Sequence, residues 1–397
     1  MPNPFTYLAY DLVTMAPLDL LPYTNVTFGQ KVNSPGSWTG QIDIADQRVQ
    51  SIEYLKATSP GRTALFVDYL GEIVWGGIIW TQRYQQTTKI LTVGAQEFGS
   101  YLQSRLQAAD YSTTWEAGED PMAIAQQVVE EALAKGQILG GLKIALSPAS
   151  GSGQKVAVSY PGNQLQTIDS VLQTLSQMGF ELGFDYGFTW EYVNGIPAVT
   201  LNLYYPRQGR TADQSGIVIL GRNVWDYTYD LDSSKQANVI SETGSGSGGI
   251  QPLEAEAENV IAAGYPRLEA AISHVQVNDE GVLGDIALGD LTLLSWPVTT
   301  PSLTLPIPQP NESGTLDPSL ITFGQFGLGD DLIWQVDPVA GEGTNSDPRW
   351  PNGMSFEWRI TGWTATVKES GVSTLLLDLG LPPVSSANVL APAPPLM

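Results

Sequence analysis

The sequence predicts a mainly β protein in which an α+β segment separates two β regions. The first observation is Gly61–Tyr84, GRTALFVDYLGEIVWGGIIWTQRY, where Thr63–Asp68 and Ile73–Tyr84 flank a tight Tyr69-Leu70-Gly71-Glu72 connection. β-Branched and aromatic side chains fill both runs, and Gly71 stands where a turn needs positive φ, so the pair reads as a β-hairpin. The second is density: six such strands fall within about the first hundred residues, as in a small barrel or sandwich. The third is a change of period after Tyr101, where helical spacing takes over until about Met178.

In chain order, Phe5–Asp11 is a first short strand, and Pro17–Pro22 reads as turn-rich. Asn25–Lys31 alternates as a strand, and Asn33-Ser34-Pro35-Gly36 is a strong turn signal. Trp38–Ile44 then places Trp38, Gly40, Ile42 and Ile44 on one half-buried face. Asp46–Lys56 carries Val49, Ile52 and Leu55 at helical spacing. The hairpin follows, and its second strand is apolar on both faces, Val74, Gly76 and Ile78 alternating with Trp75, Gly77 and Ile79. Such a strand is either sandwiched or faces a partner subunit. Lys89–Phe98 closes the first β region.

Asp120-Pro121 opens a helix through MAIAQQVVEEALAKG, with Asp120 as cap, Pro121 in the first helical position and Gly136 as stop. A second helix spans about Gln164–Met178, with Ile168, Val171, Leu172 and Leu175 in one stripe and Gly179 as its stop. Strands are expected at Phe180–Asp185, Phe188–Tyr192 and Ala198–Tyr205, the last two joined through an Asn194-Gly195 hairpin turn.

The second β region begins at Ile217–Leu220 and continues through Val224–Leu231 and Ala237–Thr243. GSGSGG, Gly244–Gly249, reads as a flexible loop. Asn278-Asp279 caps a helix to about Leu294. Thr300–Ile307, flanked by prolines, reads as an edge strand or inter-domain crossing. Asp330–Val336, Glu357–Val367 and Ser373–Leu379 are further strands. Pro383–Met397 is Pro/Ala-rich and expected to be disordered. Each β region ends in a long Trp-bearing strand, a turn and another apolar strand, which raises duplication of a fold unit. The resulting division is 1–103, 104–210, 211–382 and a tail, 383–397.

Composition narrows function. The 397 residues are too many for one typical core. Forty-one acidic against eighteen basic residues give a formal charge of −23. Such a surface repels phosphate, which argues against nucleic-acid binding but does not exclude a surface past which DNA slides without sticking. Cysteine is absent, closing disulfide and thiolate-metal chemistry. MPNPFTYLAYDL lacks the features of a signal peptide, and the longest apolar runs fall short of a membrane span.

Catalytic signatures are weak. His274 is the only histidine, no G-x-S-x-G elbow surrounds any serine, and a place on a packed or surface segment accounts for His274 more simply. Glu119-Asp120, Asp185 with Glu191, and Asp330-Asp331 are carboxylate pairs a glycosidase could use. With so many acidic residues, chance proximity, a helix cap at Asp120 and a turn at Asp330-Asp331 are the simpler accounts. Asn278, Asp279 and Glu280 lack a calcium-loop pattern, and GSGSGG lacks the lysine of a phosphate cradle. Eleven Trp and sixteen Tyr could line a sugar-binding face, but cores and subunit interfaces use the same residues.

FGQKVNSPGSWTGQI, ATSPGRTALFVDYLGEIVWGGIIWTQRY and LTVGAQEFGSYL, in that order, resemble the N-terminal domain of minor tail proteins of long-tailed actinobacterial phages. Those proteins are similar to phage baseplate or tail-tip hub proteins. The resemblance continues through GYPRLEAAISHVQV, VTTPSLTLPI, LGDDLIWQV and RWPNGMSFEWRITGWTATV, and is weak across 104–210. It implies two tail-tube-like β domains, 1–103 and 211–382, separated by an accessory α+β domain. It also implies a homotrimer whose six such domains ring the tail channel. Implied partners are the distal tail protein, the tape-measure protein and other minor tail proteins, with no cofactor, no metal and no enzymatic activity. DNA would pass through the channel without sequence-specific binding, and the protein would sit at the tail tip of the virion. Trp75, Ile79, Trp80, Trp358 and Trp363 are then the expected subunit-interface residues. The alternatives are a carbohydrate-binding tail protein and a peptidoglycan-cleaving tail enzyme with paired carboxylates.

Overall fold

Alternating apolar residues build seven strands in the N-terminal region: β1 (Phe5–Asp11), β2 (Pro17–Leu20), β3 (Thr24–Lys31), β4 (Ser37–Asp43), β5 (Thr63–Tyr69), β6 (Glu72–Gln85) and β7 (Ile90–Glu97). The computed structural model describes residues 4–50, 53–109, 118–137, 142–148, 150–178, 183–215, 217–244, 253–274, 277, 280–339, 346–369 and 372–380. The Pro-rich tail, the Asn278-Asp279 cap, Gly179 and residues 245–249 of the GSGSGG stretch lie outside these.

The middle of the chain supplies helix α1 (Pro121–Gln137), β8 (Ile144–Leu146), α2 (Ile168–Ser176), β9 (Asp185–Val193) and β10 (Ile196–Tyr204). Asp120 Oδ1 accepts from the Met122 amide at 2.9 Å, the N-cap its position predicts. In α2 the stripe Ile168, Val171, Leu172 and Leu175 is buried, and Thr167 caps it through the Ser170 amide. The two strands expected at Phe188–Tyr192 and Ala198–Tyr205 are β9 and β10, paired across an Asn194-Gly195 turn with both residues at positive φ. Strand β9 already begins at Asp185, and Gly183 and Phe184 before it are not in a strand.

The C-terminal region adds β11 (Ile217–Ile219), β12 (Asp226–Asp232), β13 (Val239–Gly244), β14 (Leu253–Glu256), β15 (Glu269–His274), α3 (Glu280–Leu294), β16 (Val298–Pro306), β17 (Asp331–Val336), β18 (Met354–Val367) and β19 (Thr374–Gly380). Thirteen strands form one sheet in the order β12-β16-β19-β18-β3-β4-β7-β6-β5-β1-β2, with β17 also on β18 and β11 on β17. The chain is therefore mostly β, with a large and mainly antiparallel sheet. Separate three-stranded sheets, β8-β10-β9 and β14-β13-β15, stand beside it.

The two β regions join at one strand pair. Val26–Lys31 of β3 runs antiparallel to Gly362–Val367 of β18. Strand β18 is long enough to serve three partners, its first half pairing β17, its second half β3, and Arg359–Thr366 also pairing β19. Strand β6, of equal length, likewise pairs β5 with its first half and β7 with its second.

Three expectations change. Pro17–Leu20 is a strand rather than a turn: Leu20 lies opposite Leu8 at the sheet's end. Asp46–Lys56 is two single helical turns, Gln47–Gln50 and Tyr54–Ala57, each too short to form without tertiary support. Val298–Pro306 is an inner strand between β12 and β16's other neighbour, β19, not an edge. Its prolines sit where one neighbour is missing. Pairing with β19 starts after Pro301, and pairing with β12 stops before Pro306. A missing amide donor there breaks no ladder bond.

One core runs through both β regions and includes Phe28, Trp38, Trp75, Ile79, Trp334, Trp358 and Trp363. A second, on the opposite face of the β5–β6 hairpin, joins Phe66, Ile78 and Phe98 to α1, α2 and β9–β10. Both apolar faces of β6 are therefore covered by its own chain, not one by a neighbouring subunit. Gly76 shows how closely: a Cβ there would lie 2.6 Å from the Trp190 indole nitrogen of β9.

Candidate functional site

The five aromatic and aliphatic residues expected at a subunit interface are not surface residues. Trp75, Ile79, Trp358 and Trp363 are buried in the core shared by the two β regions. Trp80 is half-buried against the α+β segment, and its indole N–H donates to Ser100 Oγ at 2.8 Å. An apolar strand needs cover on both faces: the second β region covers the Trp75 and Ile79 face of β6, and the intervening segment covers the Ile78 and Trp80 face.

What the fold brings together instead is a charged seam where all three parts of the chain meet. Asp185, at the start of β9, accepts from Asn33 Nδ2 at 2.9 Å and from the Gln208 amide at 2.8 Å. It also pairs with the Arg359 guanidinium of β18. Asn33 fixes the other side of β9 by accepting the Tyr186 amide at 2.8 Å and the Tyr186 hydroxyl at 2.9 Å. In the linker after β10, Arg207 makes a two-pronged pair with Asp331, and Arg210 holds Asp330 by side chain and amide. Three carboxylates on the seam are thus each matched by an arginine.

The carboxylate pairs considered for catalysis are occupied or apart. Asp330 and Asp331 are held by the arginines above. Asp120 caps α1 and also accepts the Ser152 and Gly153 amides at 2.6 and 2.9 Å. Asp185 and Glu191 lie on one strand six residues apart, about 20 Å at ~3.3 Å per residue, far beyond a glycosidase pair. A cavity at the seam, lined by Gln30, Lys31, Glu97, Tyr186 and Gln208, has about 20 Å³ of room, space for a single water.

Glu97 is buried on that cavity and accepts from the Gly36 amide and from Gln30 Nε2. Burial pushes its carboxyl up to about 7 against the lowering effect of those two bonds. A folded-state value above the ordinary one means the native protein holds an extra proton between about pH 4.5 and 7. This contribution to stability is complete below that window and is lost as the pH rises through 7, by roughly 3 kcal/mol. We expect Glu97→Gln to remove this loss, so that the Tm of the variant gains on wild type between pH 5 and pH 8. Parallel Tm–pH curves would show that Glu97 does not titrate there.

A second cluster comes from residues far apart in sequence. Glu242 on β13, His274 at the end of β15 and Asp290 on α3 converge, with His274 Nε2 3.2 Å from Glu242 and 3.6 Å from Asp290. Burial raises the Glu242 carboxyl, and the Asp290 carboxylate raises His274. No residue spacing announces this group; it exists because β13 and β15 pair in parallel beneath α3. Among the described residues, no helix is long and apolar enough to cross a membrane.

No protein-family model matches the chain, and no protein of curated function matches it by sequence. Solved structures do match in fold. The 43 kDa tail protein of prophage MuSo2 from Shewanella oneidensis superposes with a TM-score of 0.60 at 12% identity, over 95% of this chain and 98% of that one. The tail protein from Neisseria meningitidis MC58 gives 0.57 at 12% identity, over 94% and 96%. Prophage tail protein gp18 from Listeria monocytogenes EGD-e gives 0.52 at 12% identity, over 97% of each chain. The chain has the fold of phage tail proteins. At these identities the likeness is one of architecture, and it runs nearly end to end in both partners.

Proposed function

We propose that the chain is a structural protein of a phage virion, a tail-tip or baseplate hub. The observation that carries this reading is the near-complete overlap with tail proteins, with almost nothing left over in either chain. In this reading 1–103 and 211–382 are two tube-like β domains, 104–210 is the accessory domain, and three chains surround the channel through which DNA leaves. The distal tail protein, the tape-measure protein and other minor tail proteins of a long-tailed actinobacterial phage are its neighbours. The excess of carboxylates supports passage of DNA without retention. Because the two-faced strand β6 is covered internally, neighbouring chains would meet the sheet's terminal strands, β2 and β12, where Leu20 and Leu231 are exposed. A structural role rather than an enzymatic one fits the seam, where Asp185, Asp330 and Asp331 are each paired with an arginine.

The test is the mass of the purified chain by light scattering, followed by negative-stain imaging with the distal tail protein added. Three chains around an open centre are expected. A monomer that stays monomeric with that partner, yet is retained on a glycan column, would replace the hub reading with the carbohydrate-binding alternative.

A further inference from the structure

Glu242 stands out because it is fully buried and, among the described residues, neither carboxylate oxygen has a hydrogen-bond partner. A carboxylate removed from water without donors is costly, so such a group calls for a proton or a cation. Its neighbours are arranged for the cation. His274 Nε2 lies 3.2 Å from Glu242 Oε2 and 3.6 Å from Asp290 Oδ2. One ligand atom from each of the three falls within 4.8 Å of the others. Ligands about 2.1 Å from a tetrahedral ion are separated from each other by roughly 3.4 Å, so one ion fits among them with little movement.

We propose that Glu242, His274 and Asp290 form a binding site for one divalent transition-metal ion of the zinc class. An imidazole with two carboxylates suits zinc, cobalt or manganese, whereas calcium and magnesium prefer all-oxygen shells. His274 and Asp290 are about a quarter exposed, which provides an entry path and room for water to complete the shell. Each ligand comes from a different element, β15, β13 and α3. The apolar clusters of this part of the chain are small, Ala237, Ile240 and Leu291 in one, Val277, Leu283 and Ile286 in the other. An ion clamping all three elements would supply cohesion that those clusters provide only in part. Acidity alone is not the argument. Glu254, Glu256 and Glu269 lie on the same small sheet, and each already pairs with the Arg267 guanidinium. The site is independent of the tail-tip reading and stands or falls separately.

The full chain, stripped with a chelator, should be titrated with Co²⁺ at neutral pH and then with Zn²⁺ in competition. We expect one ion per chain, visible ligand-field absorption of a nitrogen–oxygen site, displacement by Zn²⁺, and a Tm that rises with Zn²⁺. Glu242→Gln and His274→Gln should each weaken binding at least ~10-fold, while Asp317→Asn, on a remote exposed turn, should leave it unchanged. The wild-type Co²⁺ spectrum decides the matter even if a variant misfolds. Absence of that absorption, binding that never saturates near one ion, or equal affinity in the variants would overturn the proposal. Glu242 would then be a buried carboxyl kept neutral by a proton rather than by a cation.

Discussion

Arg359→Met should destabilise the protein by about 3–5 kcal/mol, the cost of stranding a buried charge. Arg359 and Asp185 are 10% and 8% exposed as side chains, so water reaches neither partner freely. Without the guanidinium, Asp185 keeps only two neutral donors, from Asn33 and Gln208. Arg359 also donates to the carbonyls of Gly329 and Gln208, which would lose a partner too. The informative control is Arg359→Met with Asp185→Asn, which removes both charges together. That double variant should recover part of the loss, and the non-additivity measures the pair. Denaturant midpoints of the four proteins provide the reading. A single-variant loss below about 1 kcal/mol, the range of an exposed pair, would mean that the seam is solvated.

Trp75→Ala is the second large effect, at about 3–5 kcal/mol. The indole is fully buried, donates to the Gly29 carbonyl at 3.0 Å, and lies across Gly77, where a Cβ would come within 2.5 Å of the ring. Truncation opens a cavity in the core and removes the indole donor from the Gly29 carbonyl on β3. Because the ring is internal to the protomer, the loss should be the same at every protein concentration. A residue at a subunit interface would instead show a loss that shrinks as concentration rises. Thermal melts across a hundredfold dilution series separate the two.

These two residues also show what the sequence does and does not reveal. The hairpin β5–β6 and helix α1 were legible because local signals decide them: strand-forming side chains around a turn, and Asp-Pro before an apolar stripe. Which surface covers an apolar strand is not a local property. Trp75 and Ile79 look the same in sequence whether their cover is another part of the chain or another chain. Prolines misled at β16 for a related reason, since only the finished sheet shows that Pro301 and Pro306 stand beyond the reach of one neighbour. Strand β2, at the end of the sheet, has no clean alternation of burial and reads as a turn. The charged seam and the His274 cluster were invisible as groups. Asp185 and Arg359, like Glu242 and Asp290, meet only through strand pairing and helix crossing.

The pairing of β3 with β18 has a further consequence for biosynthesis. Lys31 lies opposite Gly362, so the strand at the heart of the sheet leaves the ribosome more than three hundred residues before its partner. At roughly 5–20 residues per second, β3 waits on the order of half a minute with one side unpaired until the ribosome reaches β18. An unpaired strand edge is a template for other chains. Polypeptides released before Met354 would therefore be captured by aggregation or by chaperones rather than accumulate as folded halves.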